Sequence, residues 1–221
     1  VRETIKGRMF NAGQVCCASK RVLVQKSIAE EYTNRLINAL KVLKVCEPHE
    51  KECDMGPLVS EQAACEVENK VNQTIKQGAR CVFGGKRYNK TYFEPTVLKD
   101  VTADMDIAKD MEIFGPVVPI IEFEENDEAI KIANQTKYGL SGGVIGRDIK
   151  AALSTALKLE SGTTVVNGCG DYRTLYTPFG GHKMSGIGTE GLMLTLEEMM
   201  LTKCVALKGI VEESVSESVL R

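Results

Sequence analysis

An α/β fold, with a parallel-rich sheet covered by helices, is what this sequence predicts, on three observations. Short apolar runs of strand length alternate with longer stretches whose apolar residues recur at helical spacing. The helical stretches open on capping residues, and two of them close on glycine. The composition is that of an ordinary globular chain, 43% hydrophobic and 26% charged over 221 residues, which is enough to bury a core. Strands separated by helices favour parallel pairing, with active residues at the strand ends.

Each element follows from its residues. Val1 to Arg8 is charged and reads as the tail of a helix already under way, not as a signal or transit peptide, so a piece of a longer chain is expected. Arg21–Gln25 is a strand. Ser27 with Glu30 three residues on forms a capping box for a helix through Tyr32, Leu36, Leu40 and Leu43. Cys46 to Val59 is a polar loop. Ser60 caps a second helix through Val67, Val71 and Ile75, Gly78 closes it, and Arg80–Phe83 returns as a strand. Val117–Phe123 is another strand. Asn126 caps a helix carrying Ala129, Ile130, Ile132 and Ala133, followed by a strand at Ser141–Ile145. Asp148 caps a helix over Ala151–Leu159 that stops at Gly162, and Thr163–Asn167 is a strand. Thr202–Lys208 is the last strand, and Gly209 to Arg221 reads as a loose tail.

Charge and cysteine content narrow the function. With 28 Lys+Arg against 30 Asp+Glu the net charge is −2, so no nucleic-acid partner is expected. Apolar stretches such as Val117 to Ile121 are too short for a membrane-spanning helix, so no membrane partner is expected either. The eight cysteines make no Cys-x-x-Cys clip, and His49 and His182 are the only histidines, so no metal site is expected. Free thiols without a secretory leader point to the cytoplasm. Gly186-Ile187-Gly188-Thr189-Glu190-Gly191 fits G-x-G-x-x-G, but a Pro/Gly loop precedes it where a dinucleotide fingerprint needs a strand, so it reads as a turn into a helix.

Chemistry concentrates in Phe10-Asn11-Ala12-Gly13-Gln14-Val15-Cys16-Cys17-Ala18-Ser19. A thiol after a Gly-containing loop, in the first turn of a short helix, would have its thiolate stabilised by free N–H groups and the helix dipole. An inert, buried cysteine pair is the alternative reading, and the local sequence leaves both open.

Asn11-Ala12-Gly13-Gln14-Val15-Cys16 resembles the catalytic-cysteine signature of the NAD(P)-dependent aldehyde dehydrogenase superfamily. Glu112-Ile113-Phe114-Gly115-Pro116-Val117 resembles its ribose-contacting segment, and Asn167 through Pro178-Phe179-Gly180-Gly181-His182-Lys183-Met184-Ser185-Gly186 its substrate-tunnel loop. The three blocks lie in the family's order and spacing, so the resemblance runs from Arg8 to about Lys208. It implies the fold of the family's catalytic domain over residues 1–200, an oligomerisation strand at 201–209 and a flexible tail at 210–221, without the N-terminal cofactor-binding domain.

The resemblance also implies roles. Cys16 is the nucleophile that forms a thiohemiacetal and then a thioester with a small aldehyde, and its N–H is half of an oxyanion hole. Glu112 and Phe114 bind the nicotinamide ribose of NAD or NADP, and Phe10 and Phe179 wall the substrate tunnel. The family's deacylating Glu and its second oxyanion donor, an Asn, would fall before Val1, so the isolated chain is expected to be inactive. A homo-oligomer, dimer or tetramer, is implied for the full-length protein. Phe10 stands where succinate-semialdehyde dehydrogenases commonly carry Arg, whereas Arg173 resembles members that oxidise lactaldehyde or glycolaldehyde and is a candidate reader of an anionic or hydroxylated substrate end. Succinate-semialdehyde oxidation, a CoA-acylating reaction and a non-catalytic binding module remain alternatives.

Overall fold

Val117 to Ile121 is buried at every position, and the main sheet is assembled around it. The computed structural model describes residues 1–209. Helix α1 (Arg2–Met9) runs into a single 3-10 turn, Phe10–Gly13, then the cysteine loop, strand β1 (Val22–Gln25) and helix α2 (Lys26–Leu40). After the polar loop come α3 (Glu61–Lys76), β2 (Arg80–Phe83), a hairpin of β3 (Arg87–Tyr88) and β4 (Tyr92–Phe93), β5 (Thr96–Val101) and β6 (Val117–Phe123). The chain continues through α4 (Asn126–Asn134), β7 (Tyr138–Gly139), β8 (Ser141–Val144), α5 (Ile149–Ala156), β9 (Thr163–Val166), β10 (Phe179–Gly180), β11 (His182–Lys183), β12 (Thr189–Glu190) and α6 (Leu192–Met199).

The main sheet has the order β1-β6-β5-β2. Strand β6 pairs in parallel with β1 (Val22↔Ile120) and with β5 (Thr96↔Val117), while β2 closes the edge antiparallel to β5 (Cys81↔Leu98). An interior strand buried on both faces needs a continuous apolar run, and β6 supplies one. Leu36 and Leu40 of α2 and Val67 and Val71 of α3 join Val97, Leu98, Val118 and Ile120 in one core. Strands β8 and β9 form a separate parallel pair, Ser141↔Thr163, crossed over by α5, whose Ala152 and Ala156 are buried. The structure is therefore α/β with parallel pairing between sequentially distant strands. Among the described residues no helix is long and apolar enough to cross a membrane.

Local expectations divide into those the side chains satisfy and those they do not. Ser60 Oγ accepts from the Ala63 N–H at 3.1 Å, Gly78 takes φ +116° after α3, and Asp148 accepts from the N–H groups of Lys150 and Ala151. The expected capping box at Ser27 does not form. Helix α2 starts one residue earlier, at Lys26, because Glu30 is drawn away by Lys99 Nζ at 2.5 Å. Asn126 is likewise the first helical residue rather than the cap, since its side chain is exchanged with Thr155 of α5. Helix α5 ends at Ala156, short of Leu159.

Thr202–Lys208 does not form the expected strand: these residues are exposed and, among the described residues, no strand lies alongside to share hydrogen bonds. The expected tail beyond Gly209 lies outside the described residues. In the G-x-G-x-x-G stretch, Thr189 and Glu190 pair with Phe179 and Gly180, and Gly191 precedes α6. The stretch thus runs through a short antiparallel strand into α6 rather than forming only a flexible turn.

Candidate active site

Two close approaches bring the cysteine loop against the segment before β6. Asn11, Ala12 and Gly13 have φ of 49°, 54° and 75°, three successive left-handed residues that reverse the chain after α1. A Cβ at Gly13 would lie 2.3 Å from the Gly115 carbonyl oxygen, so only glycine lets the two backbones meet. Arg8, 1% exposed, donates from Nε to the Val117 carbonyl at 2.7 Å and from Nη2 to the Ile113 carbonyl at 2.5 Å. It thereby ties α1 across the loop to the 113–117 segment. Burial draws its guanidinium down to about 10, against the partial support of Glu112.

Cys16 is exposed and lies in a turn closed by the Ala18 N–H to the Val15 carbonyl, beyond the 3-10 turn rather than in the first turn of a helix. The expected dipole at a helix start is therefore not what acts on it. Its own N–H has no protein partner among the described residues, which leaves that donor available to a ligand oxygen. Cys17 beside it is half-buried, and burial first, then Cys16, push its thiol up while Lys20 opposes.

Lys20, which the sequence did not single out, joins the groups that it did. Its Nζ donates to the Val15 carbonyl at 2.7 Å and the Cys16 carbonyl at 3.4 Å, lies 3.1 Å from Glu112 Oε1, and sits 5.2 Å from the centre of the Phe114 ring. Burial lowers its pKa first and the Arg8 charge second; Glu112 and Cys16 act the other way. Cys16, Glu112 and Phe114 are thus brought into one site. Lys70 of α3 fixes the Glu112 carbonyl at 2.8 Å. Gln14 is clamped by its Oε1 to the Val59 N–H at 2.8 Å and by its Nε2 to the Asn11 carbonyl at 3.0 Å. Beside these groups opens a cleft of about 530 Å³ lined by Asn11, Gln14, Pro57, Val59, Lys70 and Phe114. The signal that could have found Lys20 is local: a lysine four residues after the cysteine, with its stem inside and its amine reaching back to carbonyls.

Phe10, Arg173 and Phe179 are placed differently. Phe10 is 68% exposed where α1 turns into the loop. The Arg173 guanidinium stacks 4.0 Å from the centre of the Phe179 ring and pairs with Glu190 at 3.1 Å, so Arg173 and Phe179 form their own cluster on the β10–β12 hairpin. Among the described residues no hydrogen bond or ion pair ties that cluster to Cys16. The loop leading to it does return to α1: Cys169 Sγ donates to Asp171 at 2.5 Å, and Lys6 Nζ lies 3.8 Å from Asp171. The Glu112 carboxylate is half open to solvent, and the Phe114 ring, 43% exposed, lines the cleft.

The sequence model of the aldehyde dehydrogenase family matches residues 1–205. A lactaldehyde dehydrogenase of Methanococcus maripaludis is 38% identical over 209 residues, covering 95% of this chain and 44% of that protein. The glyceraldehyde-3-phosphate dehydrogenase GapN of Methanocaldococcus jannaschii, solved with NADP, superposes with a TM-score of 0.84 at 40% identity over 90% of this chain and 42% of the other. Betaine aldehyde dehydrogenase of Staphylococcus aureus, solved with NAD+, superposes with a TM-score of 0.86 at 35% identity, over 96% and 44% respectively. The chain spans less than half the length of these relatives.

Proposed function

The chain belongs to the aldehyde dehydrogenase family, and from that premise we propose that it is the catalytic-domain portion of an NAD(P)-dependent enzyme oxidising a small aldehyde to a carboxylic acid. The observation that carries this reading is the meeting of Cys16, Glu112 and Phe114 around Lys20. Small polar aldehydes fit the names of the relatives, lactaldehyde and glyceraldehyde 3-phosphate among them.

The reaction assigns each group a task. Cys16 sulfur, as thiolate, adds to the aldehyde carbon, and the carbonyl oxygen becomes an oxyanion facing the free Cys16 N–H. NAD or NADP, when bound, supplies the hydride acceptor. Glu112 would hold the ribose hydroxyls through the carboxylate oxygen that Lys20 leaves open, and Phe114 would pack beside the ring. Loss of hydride leaves a thioester on Cys16, which water cleaves to acid and free thiol. The Arg173–Phe179 cluster would read the far end of the substrate, with a substrate anion competing with Glu190 for the guanidinium.

The deacylating carboxylate and the second oxyanion donor come, in this proposal, from outside these residues. The chain alone, given NAD or NADP with lactaldehyde, glycolaldehyde or succinate semialdehyde, is expected to form no NAD(P)H by absorbance. Steady formation would show that these 221 residues carry a complete site. A second measurement separates the catalytic reading from a binding module. Cys16 is expected to react with iodoacetamide at least about tenfold faster than Cys204, which is also exposed. Equal rates would remove Cys16 as an activated nucleophile.

A further inference from the structure

We propose that Cys46 and Cys53 are a redox-active pair that closes to an intramolecular disulfide when the chain meets a low-molecular-weight disulfide such as oxidised glutathione. The inference does not depend on the aldehyde dehydrogenase reading.

The polar loop between α2 and α3 is folded back on itself so that the two cysteines face each other. Val45 bridges to Met55, the Cys46 N–H donates to the Met55 carbonyl at 3.1 Å, and the Asp54 and Met55 N–H groups both donate to the Lys44 carbonyl. Lys44 N–H returns to the Asp54 carboxylate at 2.8 Å, and its amine pairs with Glu52. Within this pinned frame Cys53 Sγ donates to the Cys46 carbonyl at 3.1 Å, which puts that sulfur over the backbone of its partner. Both thiols are partly exposed, so a small reagent reaches them.

The titration of Cys46 supports the contact. The neighbouring Cys53 thiol is the largest cause that raises Cys46 to about 11, ahead of burial and the charge of Glu50. Cys53 Sγ thus lies against the Cys46 backbone, and a bond of about 2.05 Å requires a further approach that side-chain rotation can supply. The remaining cysteines are placed otherwise. Cys169 is buried and donates to Asp171, Cys65 lies in α3, Cys81 lies in β2, Cys16 and Cys17 are chain neighbours, and Cys204 is exposed beyond α6.

The chemistry balances without another reactant. One protein thiolate attacks the small disulfide, giving a mixed disulfide and releasing one small thiol. The second cysteine then displaces the other small thiol. Two protein S–H groups are oxidised to one S–S bond, and the small disulfide is reduced to two thiols that carry the two protons. The second step is intramolecular between groups held in one folded loop, so the mixed disulfide does not accumulate. The same segment runs on through Pro57 to Val59, whose N–H is bound by Gln14, so the new bond would lock the far end of the strap that holds the cysteine loop.

The test is a peptide map of the whole 221-residue chain after equilibration with oxidised glutathione and trapping of free thiols with iodoacetamide. Trypsin cuts after Lys44, Lys51 and Lys70, so the proposed bond joins peptide 45–51 to peptide 52–70, with fragmentation separating Cys53 from Cys65. The expected result is a Cys46–Cys53 link at least about tenfold more abundant than any other cysteine pair, unaffected by Cys65→Ala, absent in Cys53→Ser and no longer preferred in concentrated urea. Recovery of the two peptides unlinked, a link that runs to Cys65, or a preference that survives in urea would overturn the proposal.

Discussion

Arg8 shows how far one side chain can decide the geometry of this site. Its guanidinium is buried between α1 and the segment before β6 and satisfies the carbonyls of Ile113 and Val117. Arg8→Met keeps the stem and abandons both carbonyls, each costing about 1–3 kcal/mol when left dry, so a loss of about 3 kcal/mol is expected in urea unfolding. A change under 1 kcal/mol, read on that ~1–3 scale, would mean that water reaches this place. Cys169 gives the pH counterpart. Burial first, and the Asp171 carboxylate second, raise its thiol to about 12 from the ordinary 9.0, so the folded state holds a proton that the unfolded chain loses. The stability this contributes is complete below pH 9 and is lost as pH climbs towards 12. Cys169→Ala is therefore expected to lose less stability than the parent between those limits when unfolding midpoints are compared. Of the site residues, the sequence resemblance carried Cys16, Glu112 and Phe114, because motif spacing is local information. Arg8 was invisible because its value lies in carbonyls 105 and 109 residues away, which charge and spacing alone do not reveal. Lys20 carries a local signal but also needs Glu112, far along the chain, to complete its setting.

Elements were legible where one signal sufficed. Strand β6 matches its expected bounds because a run buried on both faces reads as continuous apolar sequence. Helix α3 kept its start because Ser60 has no stronger suitor than the Ala63 N–H. Ser60→Ala should cost about 1 kcal/mol, measured as a shifted thermal or urea midpoint, whereas the same change at Ser27, which caps nothing, should cost well under half of that. Equal losses at the two positions would contradict this account of the caps. Strand β5 escaped the sequence reading for a physical reason. Its register shifts between Leu98 and Val101, with Asp100 at φ 58°, so Lys99 and Asp100 break the alternation that marks a strand. The two-residue strands were missed because pairs such as Tyr138–Gly139 with His182–Lys183 are set by tertiary approach and not by propensity.

At the scale of the whole molecule, the C-terminal face is the part whose composition disagrees with its surroundings. Helix α6 buries no residue, and Leu192, Met193, Leu196 and Met199 are all exposed. Leu201, Val205 and Leu207 beyond it are exposed at 97%, 70% and 76% on a segment that makes no ladder. Exposed apolar side chains beside backbone that has no ladder partner among the described residues favour association, since burial of the side chains and pairing of the N–H and C=O groups come together. The homo-oligomer implied by the family resemblance would use this face, with Thr202–Lys208 becoming a strand only once a neighbouring strand is present. Sedimentation of the chain is therefore expected to show concentration-dependent association. Leu196→Glu combined with Val205→Lys should shift it towards monomer without lowering the urea midpoint, because neither side chain contributes to the core. Association unchanged by that pair would place the contact elsewhere, whereas a lowered midpoint would mean that α6 packs on its own subunit more tightly than its exposure indicates.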